Sequence, residues 1–251
     1  MSEPTELTQA VLPLPPHDLL TGASLFLDFD GTLVEIAPRP DAVIVPDRLR
    51  ALIARLVDLL DGRVAVVSGR GADEVAAMLG GRGYAIGGSH GAELRMAGAD
   101  MVAPVRPAAL DQAQARMEAF ARETPGVLVE GKPLGVGLHY RGAPAAEADC
   151  AALAGELAAE TGLVLQRGKM VFELRAPGDK GDAIRRLMAQ PNFARGVPVF
   201  LGDDVTDEAG FSAARALGGV GILVGPMRDS AATHRLADVA AVLNWLEDAA
   251  K

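Results

Sequence analysis

Residues 24–33 read SLFLDFDGTL, and this stretch decides the fold class. Ser24 to Phe29 is short and almost entirely apolar, which is typical of a strand buried on both faces of a parallel sheet. Asp28 and Asp30 therefore stand at the carboxyl end of a buried strand, where open α/β sheets place their sites. A charge in so apolar a run is costly unless it is paired or metal-bound, which favours a functional interpretation. An Asp-Gly turn that simply ends the strand is the alternative.

Helices and strands alternate after this first strand. Apolar spacing predicts helices over residues 47–60 and 72–79, and strands over residues 63–68 and 84–87. The same alternation resumes after residue 178. This pattern predicts an α/β fold built on a doubly wound, Rossmann-like parallel sheet.

The middle of the chain breaks the alternation. Residues 106–177 read as helix, two strands, helix and two strands, with glycine-containing turns inside each strand pair. We therefore predict an inserted α+β domain (αββαββ) at residues 106–177, within a core domain formed by residues 23–105 and 178–251. Residues 1–22 are rich in proline near their end, and we expect them to form an irregular tail.

Composition narrows the range of partners. The 251 residues carry a net charge of −9, which argues against nucleic acid because phosphate-backbone binding needs a basic surface. A small phosphorylated molecule stays possible, since a local basic pocket can lie on an acidic protein. No apolar run approaches the ~20 residues of a membrane-spanning helix. The single cysteine, Cys150, fits a reducing compartment. We expect a cytoplasmic monomer that acts on a small molecule, with no nucleic acid and no membrane as partner.

A second group of acids follows another predicted strand, at residues 197–201. These acids are Asp203, Asp204 and Asp207. Because the carboxyl ends of parallel strands meet at one edge of a sheet, several such acids predict a site for a hard cation. Oxygen ligands without a Cys or His cluster indicate Mg²⁺. Helix capping is the alternative for Asp204 and Asp207. The predicted metal-binding residues are Asp28, Asp30, Asp203 and Asp207.

Two further segments suit a phosphate group. Ser68, Gly69 and Arg70 follow the second strand, and Lys180 opens a predicted helix. Ser68 offers a hydroxyl, Gly69 a backbone N–H that a ligand can approach closely, and Lys180 a positive charge. Each signal is weak alone, and a lysine such as Lys180 is more often a solvated surface residue.

Electrostatics explains why the acids and the lysine should occur at one site. A carboxylate that attacks a phosphate dianion meets a repulsion of ~8 kcal/mol at about 4 Å and an effective dielectric constant of about 20. Mg²⁺ and Lys180 would offset this repulsion. We therefore predict that Asp28 is a nucleophile that forms an aspartyl-phosphate. Asp30 would protonate the leaving oxygen and later deprotonate the hydrolytic water.

These motifs resemble those of the haloacid dehalogenase superfamily, in the same order. The motifs are DFDGT at Asp28–Thr32, Ser68, Lys180 and GDDVTD at Gly202–Asp207. An acid at position 30 resembles the phosphatases of that superfamily, since the dehalogenases proper lack it. The insert looks like a C2-type cap domain. The resemblance covers nearly the whole chain after residue 22.

Additional motifs resemble the trehalose-6-phosphate phosphatases. They are VVSGR at 66–70, GSHGAE at 88–93, EGKPLGVGLHYR at 130–141 and GKMVFELR at 168–175. The resemblance implies hydrolysis of trehalose 6-phosphate, with Arg70 and His90 near the core side of the substrate. Ser89 departs from the family pattern, where a bulkier residue is expected, and its role stays open. The insert residues that the resemblance assigns to the sugar hydroxyls are Glu130, Lys132 and Glu173.

Other functions remain open at this point. Another sugar phosphatase or a phosphomutase of the same superfamily is the nearest alternative, because acids and lysines in the insert could equally be charges on a solvated sheet face. A receiver-type signalling module also phosphorylates an Asp at a strand end, but such modules are much shorter and lack an inserted domain. A dinucleotide-binding domain is disfavoured, because the glycine cluster at residues 218–221 precedes a strand rather than opening a helix.

Overall fold

A seven-stranded sheet forms the centre of the first of two units. The computed structural model describes residues 12–37, 42–81, 83–99 and 105–251. One unit comprises Met1–Asp100 and Asp179–Lys251, and the other comprises Met101–Gly178. The second unit is therefore inserted into the first along the chain, and it is contiguous in sequence.

The regular elements follow the chain as strands β1 to β11 and helices α1 to α7. In order they are β1 (Ala23–Leu27), α1 (Asp47–Leu59), β2 (Val64–Val67), α2 (Ala72–Leu79), β3 (Ala85–Gly88), β4 (Glu93–Arg95), α3 (Ala108–Glu123), β5 (Leu128–Lys132), β6 (Gly135–His139), α4 (Glu147–Thr161), β7 (Val164–Gly168), β8 (Val171–Arg175), α5 (Lys180–Met188), β9 (Val197–Gly202), α6 (Glu208–Ala216), β10 (Val220–Val224), β11 (His234–Leu236) and α7 (Val239–Ala249).

The strand order in the first unit is β11-β10-β9-β1-β2-β3-β4. All neighbouring pairs are parallel except β3 and β4. Strand β1 lies between β9 and β2, and Leu27 is in register with both Leu201 and Val66. The chain leads from β1 to its neighbour β2 on one side, and from β9 to its neighbour β10 on the other side. The strand order therefore reverses between β1 and β9, and open α/β sheets bind ligands at the carboxyl ends of the strands at such a switch point.

Strand β1 is buried because its side chains are apolar on both faces of the sheet. Every residue of β1 is buried, as the sequence pattern predicts. Phe26 packs against Phe193 with ring centroids 5.6 Å apart, and Phe200 packs against Phe211 at 5.3 Å. The pairing of β1 with β2 and β9 sets its register, so the residue that follows Leu27 is delivered to one defined point at the sheet edge.

The second unit is an antiparallel sheet with helices on one face. Its strand order is β5-β6-β8-β7, and α3 and α4 pack against it. Side chains that alternate toward these helices, such as Leu138 and Leu174, are buried. The register pairs Glu130 with Gly137, Gly137 with Glu173, and Glu173 with Gln166. Because paired residues share a face, these polar side chains form one row on the opposite face of the sheet.

The predicted α/β fold class is confirmed, and two strands were not predicted. Strands β4 and β11 have three residues each, lie at the two edges of the sheet and contain charged residues or histidine, so they carry little strand pattern. Residues 12–22 also differ from the expected irregular tail. They include a 3₁₀ helix at His17–Leu20, and the carbonyl of Pro13 accepts a hydrogen bond from the N–H of Arg235. Residues 1–11 of the predicted tail lie outside the described residues.

Candidate active site

The carboxyl ends of three strands bring the sequence-predicted residues together. Asp28 follows β1, Ser68 follows β2, and Asp203 follows β9. The N–H of Asp28 donates to the carbonyl of Leu201 at 2.9 Å, and this bond continues the pairing of β1 with β9. Residues far apart in sequence therefore meet because the parallel register aligns the strand ends.

Lys180 lies at the centre of this group. It is the first residue of α5, whose N-cap Asp179 accepts a hydrogen bond from the N–H of Asp182. The Nζ atom of Lys180 is 2.6 Å from Oδ1 of Asp28 and 2.6 Å from Oδ1 of Asp207. Lys180 is only 4% exposed, so the solvated surface lysine considered above is not what the structure contains.

Burial and charge act against each other at this lysine. Burial by itself lowers the pKa of Lys180, but the charges of Asp28 and Asp207 outweigh it and hold the pKa above its ordinary value. Lys180 is therefore a fixed positive charge at neutral pH.

The three neighbouring carboxylates carry more negative charge than Lys180 can neutralise. Burial is the largest cause that raises the pKa of Asp28, Asp203 and Asp207, although Lys180 lowers each of them. One ligand oxygen from each of the three lies within 4.8 Å of the others. Buried carboxylates with excess negative charge and oxygen-only donors fit a hard divalent cation.

Asp207 differs from the other two acids in its partners. Its Oδ1 accepts from Lys180, and its Oδ2 accepts from the N–H groups of Asp203 and Asp204 at 2.9 and 3.0 Å. Both oxygens of Asp207 therefore already accept hydrogen bonds from the protein. Asp28 and Asp203 are consequently the better ligands for a cation. Asp204 is a helix cap, since its side chain accepts from the N–H of Thr206 at 2.7 Å.

Gly31 makes room for the acid on the neighbouring strand. Its φ of +81° lies in the left-handed region that favours glycine, and a Cβ at this position would collide with the carboxylate of Asp203. Asp30 and Gly31 therefore begin a turn after β1, as the alternative interpretation predicted, and Gly31 also shapes the acidic site.

The segment after β2 carries the predicted phosphate-binding groups. Ser68 is buried, and its Oγ accepts from the N–H of Arg70 at 3.1 Å. The imidazole of His90 lies directly over Gly69, with Cε1 and Nε2 2.7 Å from the place where a Cβ would stand. Any side chain at position 69 would therefore displace the ring of His90.

Arg70 contacts acids of its own unit. Its Nε and Nη2 atoms bind the two carboxylate oxygens of Asp30 at 2.7 and 2.9 Å, and Nη1 binds Glu74. The family resemblance assigns Arg70 to the substrate, and this bidentate pair gives it a second role, which is to orient Asp30.

The insert residues assigned to the sugar form side-chain contacts within the second unit. Lys132 binds Glu173 at 2.7 Å, and Glu130 contacts Nε2 of His139 at 2.9 Å. Gln166 extends the same row beyond Glu173 and is exposed. Gln166 was not among the residues selected from the sequence, although it pairs with Glu173 across the two-residue turn at residues 169–170.

Comparisons with known proteins agree with this geometry. A family model for trehalose-phosphatase matches residues 26–240. The trehalose-6-phosphate phosphatase of Escherichia coli K12 is 37% identical over 225 residues, which span 88% of this chain and 84% of that protein. The crystal structure of a trehalose-6-phosphate phosphatase related protein aligns with a TM-score of 0.66 at 28% identity, covering 89% of this chain and 95% of the other.

A more distant structure shows the fold alone. The haloacid dehalogenase-like hydrolase from B. subtilis aligns with a TM-score of 0.61 at 15% identity, covering 89% of this chain and 99% of the other. The parallel sheet, the acids at its switch point and the inserted unit define a fold of the haloacid dehalogenase-like class. Within that class, the chain belongs to the trehalose-phosphatase family, whose members are phosphomonoester hydrolases. Among the helices that the structure describes, none has the length and apolar character needed to cross a membrane.

The buried lysine allows a matched test of stability. Lys180 and Lys251 both bind an Asp at 2.6 Å, but the first pair is buried and the second is exposed. Lys180→Met should lower the free energy of unfolding by about 3–5 kcal/mol in the presence of chelator, because it leaves buried carboxylates without their counter-charge. Lys251→Met should cause no measurable loss. Urea denaturation at neutral pH would check both, and equal stability of the two variants would contradict the account.

Proposed function

We propose that the chain hydrolyses trehalose 6-phosphate to trehalose and inorganic phosphate through an aspartyl-phosphate on Asp28. The observation that carries this proposal is the buried Lys180, which binds Asp28 and Asp207 at 2.6 Å beside Asp203. This arrangement occurs in a chain of the trehalose-phosphatase family. The single buried cysteine is consistent with a reducing cytoplasm as the proposed location.

Asp28 is the proposed nucleophile because its carboxylate is held in place before the substrate arrives. Its Oδ1 atom accepts from Lys180, which orients the side chain and offsets part of the repulsion from a phosphate dianion. In the first step a carboxylate oxygen of Asp28 bonds to phosphorus, and the bond from phosphorus to the sugar oxygen breaks. In the second step a water oxygen bonds to phosphorus, and the bond to Asp28 breaks.

A divalent cation completes the proposed charge balance. Asp28, Asp203 and the backbone carbonyl of Asp30 would hold Mg²⁺, and the ion would supply positive charge to the phosphoryl oxygens. Asp207 was also assigned to the metal from the sequence. Its bonds to Lys180 and to backbone N–H groups support a different role, which is to position the lysine and the loop after β9.

Asp30 is the proposed acid and base. It would give a proton to the leaving sugar oxygen and accept one from the attacking water. Both oxygens of Asp30 accept from the fork of Arg70, which orients the ionised carboxylate, and one of these bonds would open when Asp30 carries the proton that it gives to the leaving oxygen. Ser68, the N–H of Gly69 and Lys180 would bind the phosphoryl oxygens.

Sugar recognition is assigned to the polar row of the second unit, which consists of Glu130, Lys132, Gln166 and Glu173. Lys132 and Glu173 neutralise each other, so a neutral hydroxyl group could bind beside them without leaving either charge unpaired. Gly135 and Gly137 carry no side chains on this face, and the carboxylate of Glu173 and the imidazole of His139 lie over them. Gln166 adds a neutral donor and acceptor at the end of the row.

The central test is phosphate release by variants of the nucleophile. The wild-type enzyme should release phosphate from trehalose 6-phosphate faster than from glucose 6-phosphate or sucrose 6-phosphate. Asp28→Asn should abolish turnover, because an amide cannot form the acyl-phosphate. Asp18→Asn, at an exposed position of the same unit, is the control and should keep full activity. Activity of Asp28→Asn within tenfold of wild type would exclude the mechanism, and a preference for another sugar would exclude the substrate.

The metal requirement can be measured directly. Excess EDTA should stop phosphate release, and Mg²⁺ should restore it, because the acids would otherwise repel the substrate. Asp203→Ala should weaken the response to Mg²⁺ in a titration of activity against metal concentration. Full activity in excess chelator would reject a metal-dependent reaction.

Variants of the polar row should affect the hydrolysis of two substrates differently. Glu130→Ala, Lys132→Ala and Glu173→Ala should each lower kcat/KM for trehalose 6-phosphate roughly 10- to 150-fold, the effect of losing a hydrogen bond to a charged group. Gln166→Ala should cost only about 2- to 10-fold, since its hydrogen bonds are neutral.

The same variants should hydrolyse p-nitrophenyl phosphate nearly as well as the wild type, because that substrate has no hydroxyl groups. Lys169→Ala, in the exposed turn of the same hairpin, is the control and should change neither activity. Equal losses on both substrates would assign the row to structure instead of recognition.

A further inference from the structure

Glu93 bridges two segments that flank the proposed phosphate-binding residues. It is the first residue of β4 and is half-buried. Its Oε1 atom accepts from the hydroxyl of Ser89, and its Oε2 atom accepts from the N–H of Ala72 at 3.0 Å. Ala72 is the first residue of α2, so one carboxylate joins the start of this helix to the turn after β3.

The turn that Glu93 holds has an unusual backbone. Ser89 and His90 have φ values of 48° and 56°, so two successive residues with side chains adopt the left-handed region. Such conformations persist only where the surrounding structure enforces them, and they cluster at functional sites. The contact with Glu93 is one of the forces that enforce it, and it assigns a function to the Ser89 hydroxyl that the sequence left open.

The same turn holds the segment after β2. The N–H of Ser89 donates to the carbonyl of Arg70 at 2.7 Å, and the N–H of His90 donates to the carbonyl of Ser68 at 2.9 Å. Together with the bond from Glu93 to Ala72, these contacts fix both ends of residues 68–72. They also set the imidazole of His90 against Gly69.

We propose that Glu93 is a positioning residue for phosphoryl transfer, and this inference rests on the proposed function. Glu93 acts through Ser89 and Ala72, which hold the Ser68–Gly69 backbone and the ring of His90 where the phosphoryl group binds. Because this part of the site contacts the group that all phosphate esters share, its effect is independent of the sugar. A helix cap with no other role would change stability alone.

The test compares Glu93→Ala, Glu93→Gln and Ser89→Ala with Asp73→Ala. Asp73 is an exposed acid in the first turn of the same helix, so its removal controls for charge near the helix N-terminus. Each variant is assayed on trehalose 6-phosphate and on p-nitrophenyl phosphate, and thermal unfolding identifies the fraction that is folded.

Glu93→Ala should lower kcat/KM about 100-fold on both substrates, the size of effect expected when a reacting group is displaced by about 1 Å. Glu93→Gln should recover part of that loss, because an amide has one accepting oxygen for the two donors. The double variant Ser89→Ala/Glu93→Ala should be no worse than Glu93→Ala, since both changes remove the same contact. Asp73→Ala should keep wild-type activity.

Two results would overturn the inference. One is folded Glu93→Ala with kcat/KM within threefold of wild type on both substrates. The other is a loss confined to trehalose 6-phosphate, which would assign Glu93 to sugar recognition. Wild-type enzyme that hydrolyses p-nitrophenyl phosphate but not trehalose 6-phosphate would instead reject the proposed substrate, and the p-nitrophenyl phosphate assays would still decide the role of Glu93.

Discussion

The buried ion pairs of Lys180 are the interaction on which the rest of the first unit depends. One ammonium group bonds to Asp28, which directly follows β1, and to Asp207, which lies between β9 and α6. Such a cluster is a poor source of stability, because desolvation offsets much of the attraction. Its value lies in geometry, since it fixes the nucleophile and the loop after β9 relative to each other before any ligand binds.

Backbone and side-chain contacts around the cluster extend this preorganisation. Asp207 also receives two backbone N–H groups, Gly31 leaves space for Asp203, and the fork of Arg70 orients Asp30. On the far side of β2, the strained turn at Ser89 and His90 holds the phosphate-binding segment. Asp28, Asp30 and Asp207 therefore each have a partner that limits their motion, which is the arrangement expected where charge must be stabilised without reorganisation.

The fold and the main acids could be predicted from the sequence, but the partners of individual side chains could not. Strands β1 and β9 were predictable because buried parallel strands are apolar runs, and acids at their ends stand out. The bond of Arg70 to Asp30 spans 40 residues and the bond of Lys180 to Asp207 spans 27, so no local pattern encodes them. Strands β4 and β11 escaped prediction because three residues cannot establish a period.

The position of the inserted unit has a consequence for folding during synthesis. Asp28 and Lys180 are separated by 152 residues, and β9 is made later still. At ~5–20 residues per second, the ribosome needs roughly 8–30 s to supply the lysine after the aspartate. In that interval β1 lacks both its neighbour β9 and its counter-charge, and the contiguous second unit is completed only at the end of the interval. The nascent first unit therefore exposes an apolar strand edge that a chaperone would recognise, and its closure is a late, long-range event.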